Sequence, residues 1–289
     1  MRLEQTDFQN IITRLKNNDP TLIWLDLWNN EIGDEGAKAL GGALERNRTL
    51  TTLDLGNNNI GPKGAKAIGE ALEHNRTLTD LYLGTNNIGS EGAKAIGEGL
   101  EHNNTLKRIY LSNNKIGPEG AKAIVYGLEH NRTLTRLDLY CNRIGDEGAK
   151  ALGYRLKYNT LVSLDLYGNN IGPEGAKAIA DGLEYNRTLI RLDLYGNRIG
   201  NNEMSTIDKL LDVNRGEKSK ILLTTALCVM RFFGPALPYQ LIGGQRPRVN
   251  NSILEFYIRD YKRSILKKRP SSLKKKYDFK NLSCSRENF

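Results

Sequence analysis

An α/β solenoid, with a parallel sheet along one side and helices along the other, is the fold class this sequence predicts. Three observations carry it. The pattern L-x-x-L-x-L-x-x-N-x-I-G recurs seven times, from Leu22, Leu50, Leu78, Leu106, Leu134, Leu161 and Leu189, at a 28-residue period with one step of 27. Its first half alternates as a strand buried on one face does, and its second half places small and apolar residues at helical spacing. One such unit cannot bury its own apolar face, so neighbouring units must stack.

Residues 1–21 read as an N-terminal half-repeat cap and 22–215 as the seven repeats. In the first six repeats Gly is followed by Asp, Ser or Pro (Asp34, Pro62, Ser90, Pro118, Asp146, Pro173), residues suited to an N-cap or a first helical turn. Ala65, Ile68 and Leu72 show the spacing of the buried helix face. The 27-residue step falls at Leu156 to Leu161, a turn, where a deletion is tolerated best. Strands need about 4.8 Å of width and helices about 10 Å. The array is therefore expected to curve, with a concave sheet and convex helices.

The Asn column (Asn30, Asn58, Asn86, Asn114, Asn142, Asn169, Asn197) reads as structural, a buried amide serving backbone groups of the turn. The glycines at Gly33, Gly61, Gly89, Gly117, Gly145, Gly172 and Gly200 read the same way, as turn residues.

These motifs resemble the leucine-rich repeat of the ribonuclease-inhibitor type, which is similar to the repeat domains of NOD-like receptors. The resemblance covers roughly residues 20–215 and implies a horseshoe whose concave face binds another protein. GTPase-activating regulators of Ran-like small GTPases use the same repeat type, which makes that activity the alternative reading.

Alternation puts three outward positions per repeat on the sheet face. The first column is Trp24, Thr52, Asp80, Arg108, Arg136, Ser163 and Arg191. The second is Asp26, Asp54, Tyr82, Tyr110, Asp138, Asp165 and Asp193, and the third Trp28, Gly56, Gly84, Ser112, Tyr140, Tyr167 and Tyr195. Tyr, Trp and Arg dominate binding hot spots. The partner-binding candidates are accordingly Trp24, Asp26, Trp28, Tyr82, Arg108, Tyr110, Arg136, Asp138, Tyr140, Asp165, Tyr167, Arg191, Asp193 and Tyr195. The bland reading is that Asp and Arg of adjacent units pair with each other while the tyrosines shield the sheet.

The helix side reads as a solvated mixed face, with a lysine column (Lys38, Lys66, Lys94, Lys122, Lys150, Lys177) beside glutamates. His74, His102 and His130 lie one repeat apart, too far from one another to share a metal ion. No nucleophile elbow, P-loop or paired-Cys pattern occurs, so neither an enzyme nor a cofactor, metal or small-molecule substrate is expected.

The net charge of +9 is uneven: residues 216–289 hold 16 Lys and Arg against 5 Asp and Glu, whereas 1–215 hold 26 against 28. Residues 216–244 read as an apolar C-terminal cap over the last repeat, too short in their apolar run for the ~20 residues of a membrane span. Residues 245–289 read as a basic, partly helical or disordered tail. Lys262 and Arg263 followed by Lys274, Lys275 and Lys276 resemble a bipartite nuclear-import signal; the partners so implied are an import receptor or a polyanion. Cys141, Cys228 and Cys284 form no paired motif, and the N-terminus carries no apolar secretory run. A cytoplasmic location is expected, with nuclear entry as the second reading.

Overall fold

The computed structural model describes residues 4–216. Its elements run α1 (Gln5–Lys16), β1 (Trp24–Asp26), α2 (Gly33–Leu44), β2 (Thr52–Asp54), α3 (Pro62–His74), β3 (Asp80–Tyr82), α4 (Gly89–His102), β4 (Arg108–Tyr110), α5 (Gly117–Gly127), β5 (Arg136–Asp138), α6 (Gly145–Leu156), β6 (Ser163–Asp165), α7 (Pro173–Tyr185) and β7 (Arg191–Asp193). A further helix covers 201–216. The expectations for 217–289, including the nuclear-import residues Lys262, Arg263, Lys274, Lys275 and Lys276, lie outside the described residues.

The seven strands form one sheet in sequence order, every pair parallel. Three-residue strands suffice because the middle residue of each, such as Leu53, Leu81, Ile109 or Leu137, is fully buried against the helices. The flanking residues face away from them, and a 28-residue repeat keeps the same column in register from strand to strand.

Two asparagine ladders tie the units together. In the first, Asn58 Nδ2 donates to Leu27 O at 2.7 Å, and its Oδ1 accepts from the N–H groups of Asn30 and Ile32 at 2.8 and 3.2 Å. Asn86, Asn114, Asn142 and Asn169 repeat the arrangement. Each amide thereby satisfies carbonyl and N–H groups of the preceding unit's turn, which burial would otherwise leave unpaired. The second ladder is the Asn of the N-R-T or N-N-T tripeptides. Asn75 is buried, donates to Leu44 O at 2.8 Å and accepts from the N–H groups of Thr77 and Leu78.

The helices pack on one another through small residues. A Cβ on Gly97 would stand 2.4 Å from Ala123 O, and one on Gly127 would stand 2.0 Å from Gly97 O. No such distance is tolerable, so these glycines set how closely the helices approach. These close approaches are between helix and helix.

From α2 to α7 the helix starts fall into two kinds, and the difference lies one repeat upstream. Gly33, Gly89, Gly117 and Gly145 open their helices with φ between +59° and +68°. Gly61 and Gly172 are extended instead, with φ of −95° and −100°. In those two units the N–H groups of Gly61 and Gly64 donate to Asp34 Oδ1 at 2.7 and 2.8 Å, and those of Gly172 and Gly175 donate to Asp146 Oδ1 at 2.6 and 3.0 Å. Proline does not decide the matter, because Gly117 precedes Pro118 yet keeps its positive φ; the unit before it carries Ser90 where the others carry Asp. Asp34 and Asp146 therefore cap not their own helix but the next one.

The last repeat is closed by the 201–216 helix. Ile207 and Leu211 are buried, and Asn214 Nδ2 and Arg215 Nε reach Leu189 O and Ile190 O, each at 2.9 Å. No helix among the described residues is long and apolar enough to cross a membrane.

Candidate protein-binding face

The sheet face turned away from the helices carries all three outward columns, and register brings their members together in distinct zones. Trp24 and Trp28 stand on the first unit, 59% and 57% exposed, flanking Asp26. The Trp28 ring lies over Gly56, where an added Cβ would come within 2.9 Å of its Cδ1. A glycine in one unit thus makes room for the aromatic ring of the unit before.

A central belt follows. Tyr82 and Tyr110 are stacked at 4.3 Å between centroids and 3° between planes. The Arg136 guanidinium lies 5.1 Å from the Tyr110 centroid, a cation–π contact. Beside them Arg108 pairs with Asp80, whose side chain is almost wholly buried and also accepts from Thr79 Oγ1 at 2.7 Å. Burial by itself would raise the Asp80 carboxyl, but the hydrogen bonds from Arg108 and Thr79 outweigh it and hold the group below the usual carboxylate range.

In the C-terminal zone Tyr140 and Tyr167 stack at 5.0 Å and 15°. Tyr167 covers Gly196, and Tyr195 is 72% exposed. The Tyr140 hydroxyl is held above its ordinary range, chiefly by its hydrogen bond to Cys141.

The second-column aspartates have a structural duty that the column alone did not reveal. Asp26, Asp54, Asp138, Asp165 and Asp193 each accept from the backbone N–H two residues on, at 2.8–3.0 Å. The signal was present in the spacing, since Asp commonly bonds its own chain two residues later. Adjacent strands place these carboxylates side by side. Burial, with the charge of the neighbouring aspartate added, pushes Asp54, Asp138 and Asp165 above the usual range. Arg136 faces Asp138 and Asp165 and partly offsets that repulsion.

The predicted residues thus assemble as a Trp24–Asp26–Trp28 group, a Tyr82–Tyr110–Arg136 belt beside Asp80–Arg108, and a Tyr140–Tyr167 stack near Tyr195. Arg191 is exposed at the end of the sheet and makes no ring contact among the described residues. The helix side also holds aromatic residues that the repeat pattern hid: Tyr126, Tyr154, Tyr158 and Tyr185 are all more than half exposed. They were findable as departures from the glutamates and histidines of earlier units. Among the described residues no group of three or more His, Cys, Asp or Glu is placed to hold a metal ion.

Residues 4–143 match the family described as the TMOD/LMOD leucine-rich domain, and 159–180 and 185–202 match the family described as Leucine Rich repeat. No curated protein matches. Among solved structures, leiomodin-1 actin-binding site 2 is 22% identical, with 78% of this chain and 98% of that one covered and a TM-score of 0.40. The tropomodulin C-terminal domain of Caenorhabditis elegans is 13% identical, with 75% and 99% covered and a TM-score of 0.42.

The family match corrects the expected likeness to the ribonuclease-inhibitor type and to NOD-like receptors. The L-x-x-L-x-L-x-x-N-x-I-G positions on which that likeness rested are filled by core leucines and ladder asparagines, which fix the repeat fold and not its subfamily. The family match lends the GTPase-activating alternative no support. Residues 4–216 form a leucine-rich repeat solenoid, and its residues 4–143 are similar to the tropomodulin and leiomodin leucine-rich domain.

Proposed function

We propose that this chain is a protein-interaction scaffold whose partner docks on the sheet face turned away from the helices, anchored on Tyr82, Tyr110 and Arg136. One observation carries the reading: two tyrosines in register on adjacent strands stack on each other and a guanidinium from the next strand lies over one of them, at outward positions where the repeat itself requires no particular side chain. Large, preorganised aromatic and arginine groups lose little conformational freedom on binding, which suits them to be anchors. Asp80 contributes by holding Arg108 beside the belt. A cytoplasmic location goes with this reading, and imaging of a tagged chain tests it.

The likeness over 4–143 makes actin the first partner to test, the leiomodin-1 domain being named as an actin-binding site. Labelled monomeric actin titrated with the full chain, and with Tyr110→Ala and Arg136→Ala variants, is the direct experiment. A hot-spot loss of about 2 kcal/mol would weaken binding roughly thirtyfold. Binding by the parent with unchanged affinity in both variants would move the contact off this face. No binding by the parent would remove actin as the partner.

A further inference from the structure

We propose that the outer ends of α6 and α7 form a second docking site, on the helix side, for an acidic peptide segment of a partner protein. At one helix position the units carry Glu45, Glu73, Glu101, Glu129 and Glu184, but the fifth repeat carries Lys157. Two positions earlier stand Ala43, Ala71, Gly99, Gly127 and Gly182, and in that same unit Arg155. Glu70 and Glu98 give way to Tyr126 and Tyr154, and His74 and His102 to Tyr158 and Tyr185. The charge changes fall within one turn at the end of α6, and the rings gather there and on the two neighbouring helices.

Arg155 disturbs the packing around it. Its small counterparts touch the neighbouring helix so closely that a Cβ on Gly99 would stand 2.3 Å, and one on Gly182 2.0 Å, from a backbone oxygen. An arginine at that position cannot keep the same approach. Opposite it α5 ends at Gly127, whereas α3, α4 and α7 continue to His74, His102 and Tyr185. Arg155 is held instead by Glu129 and the Tyr126 and Tyr154 rings, and a local rule broken in this way is expected at functional or strained positions.

One cation of the resulting surface, Lys157, has no carboxylate partner among the described residues and can receive one. The Lys157 Nζ lies over Tyr154 and Tyr158, at 5.1 and 4.6 Å from their centroids, and makes no salt bridge among the described residues. Arg155 lies over Tyr126 and Tyr154 and is paired with Glu129, and Lys150 is paired with Glu147. A groove of about 310 Å³ runs between Tyr154, Lys157 and Tyr185 over a floor of Gly153, Ala178 and Gly182; Asp181 also lines it. A carboxylate can meet Lys157 while an adjoining apolar side chain lies between the Tyr154 and Tyr185 rings. Lys157 also suits the negative end of α6, yet five other units place glutamate there, so the helix end does not require a cation.

The test uses the full chain and two short fluorescein-labelled peptides, one of alternating Glu and Leu and one of alternating Lys and Leu, followed by anisotropy. The Glu–Leu peptide is expected to bind, to be weakened about tenfold or more by Lys157→Glu, and to be unaffected by Tyr110→Ala on the opposite face. Lys157→Glu installs the residue that the other units already carry, so it keeps the fold. Tyr154→Glu, which copies Glu98, is expected to weaken binding likewise. The proposal is overturned if the Glu–Leu peptide fails to bind the parent, if the Lys–Leu peptide binds equally well, or if Lys157→Glu leaves the affinity unchanged. The result is independent of any partner on the sheet face.

Discussion

Asn86→Ala tests whether the ladders, and not the leucines alone, hold the units in register. The Asn86 amide donates to Leu55 O and Leu83 O at 2.9 Å each and accepts from the N–H groups of Asn58 and Ile60 at 3.0 and 2.9 Å. The side chain is 4% exposed, so water does not readily replace it. At about 1 kcal/mol net for each hydrogen bond, the four together contribute about 4 kcal/mol, a large part of the 5–15 kcal/mol typical of a domain. Because stability in a repeat array is a sum of unit and interface contributions, the loss is expected at the junction of the second and third repeats. Urea unfolding followed by far-UV circular dichroism should show a drop of about 3–4 kcal/mol, or a single transition splitting into two. Asn104, exposed in the adjoining turn, supplies the control: Asn104→Ala should change stability by less than about 0.5 kcal/mol. A loss below about 1 kcal/mol for Asn86→Ala, with one unchanged transition, would refute the reasoning.

Three further outcomes are expected. Gly97→Ala drives a Cβ into Ala123 O and should cost about 1–3 kcal/mol, whereas Gly42→Ala, with open space around it, should gain up to about 1 kcal/mol; thermal melts separate the two. Asp34→Ser takes the carboxylate from the Gly61 and Gly64 N–H groups and should lower stability by about 1 kcal/mol, read by urea titration. Asp165→Asn keeps an acceptor for the Tyr167 N–H and removes a charge facing Asp138 and Asp193, so it should stabilise by a few tenths of a kcal/mol at pH 7. The Asp165 carboxyl is raised in the fold. Its charge therefore costs stability above that raised value, and protonation relieves the cost as pH falls toward 3.8. The advantage of the variant should shrink over the same range. Asp80 has the opposite sign, its contribution being lost as pH falls from 3.8 through its depressed value.

Much of the fold was legible in the sequence because it is written in local spacing. Leucines two apart mark each strand, Ala65, Ile68 and Leu72 mark a buried helix face, and a repeated Asn marks the turn. The capping by Asp34 was not legible, because its recipients lie 27 and 30 residues away and the usual capping pattern looks only within one helix. Alternation grouped the strand residues in the register the sheet adopts, as Trp24, Thr52 and Asp80 show. Which members act together was not, since the stacking of Tyr82 on Tyr110 and the burial of Asp80 depend on neighbours one unit away. The double duty of Asp138 and Asp165 could have been read from the two-residue step to Tyr140 and Tyr167. The subfamily could not be read from core positions that serve the repeat fold itself.

The first ladder also sets a schedule. Because Asn58 closes the turn of the unit before it, and Asn86 that of Asn58's own unit, a turn leaving the ribosome lacks its closing amide until another 28 residues have been added. At synthesis rates of about 5–20 residues per second, that interval lasts roughly 1–6 s. Until then water must serve the carbonyl and N–H groups of that newest turn.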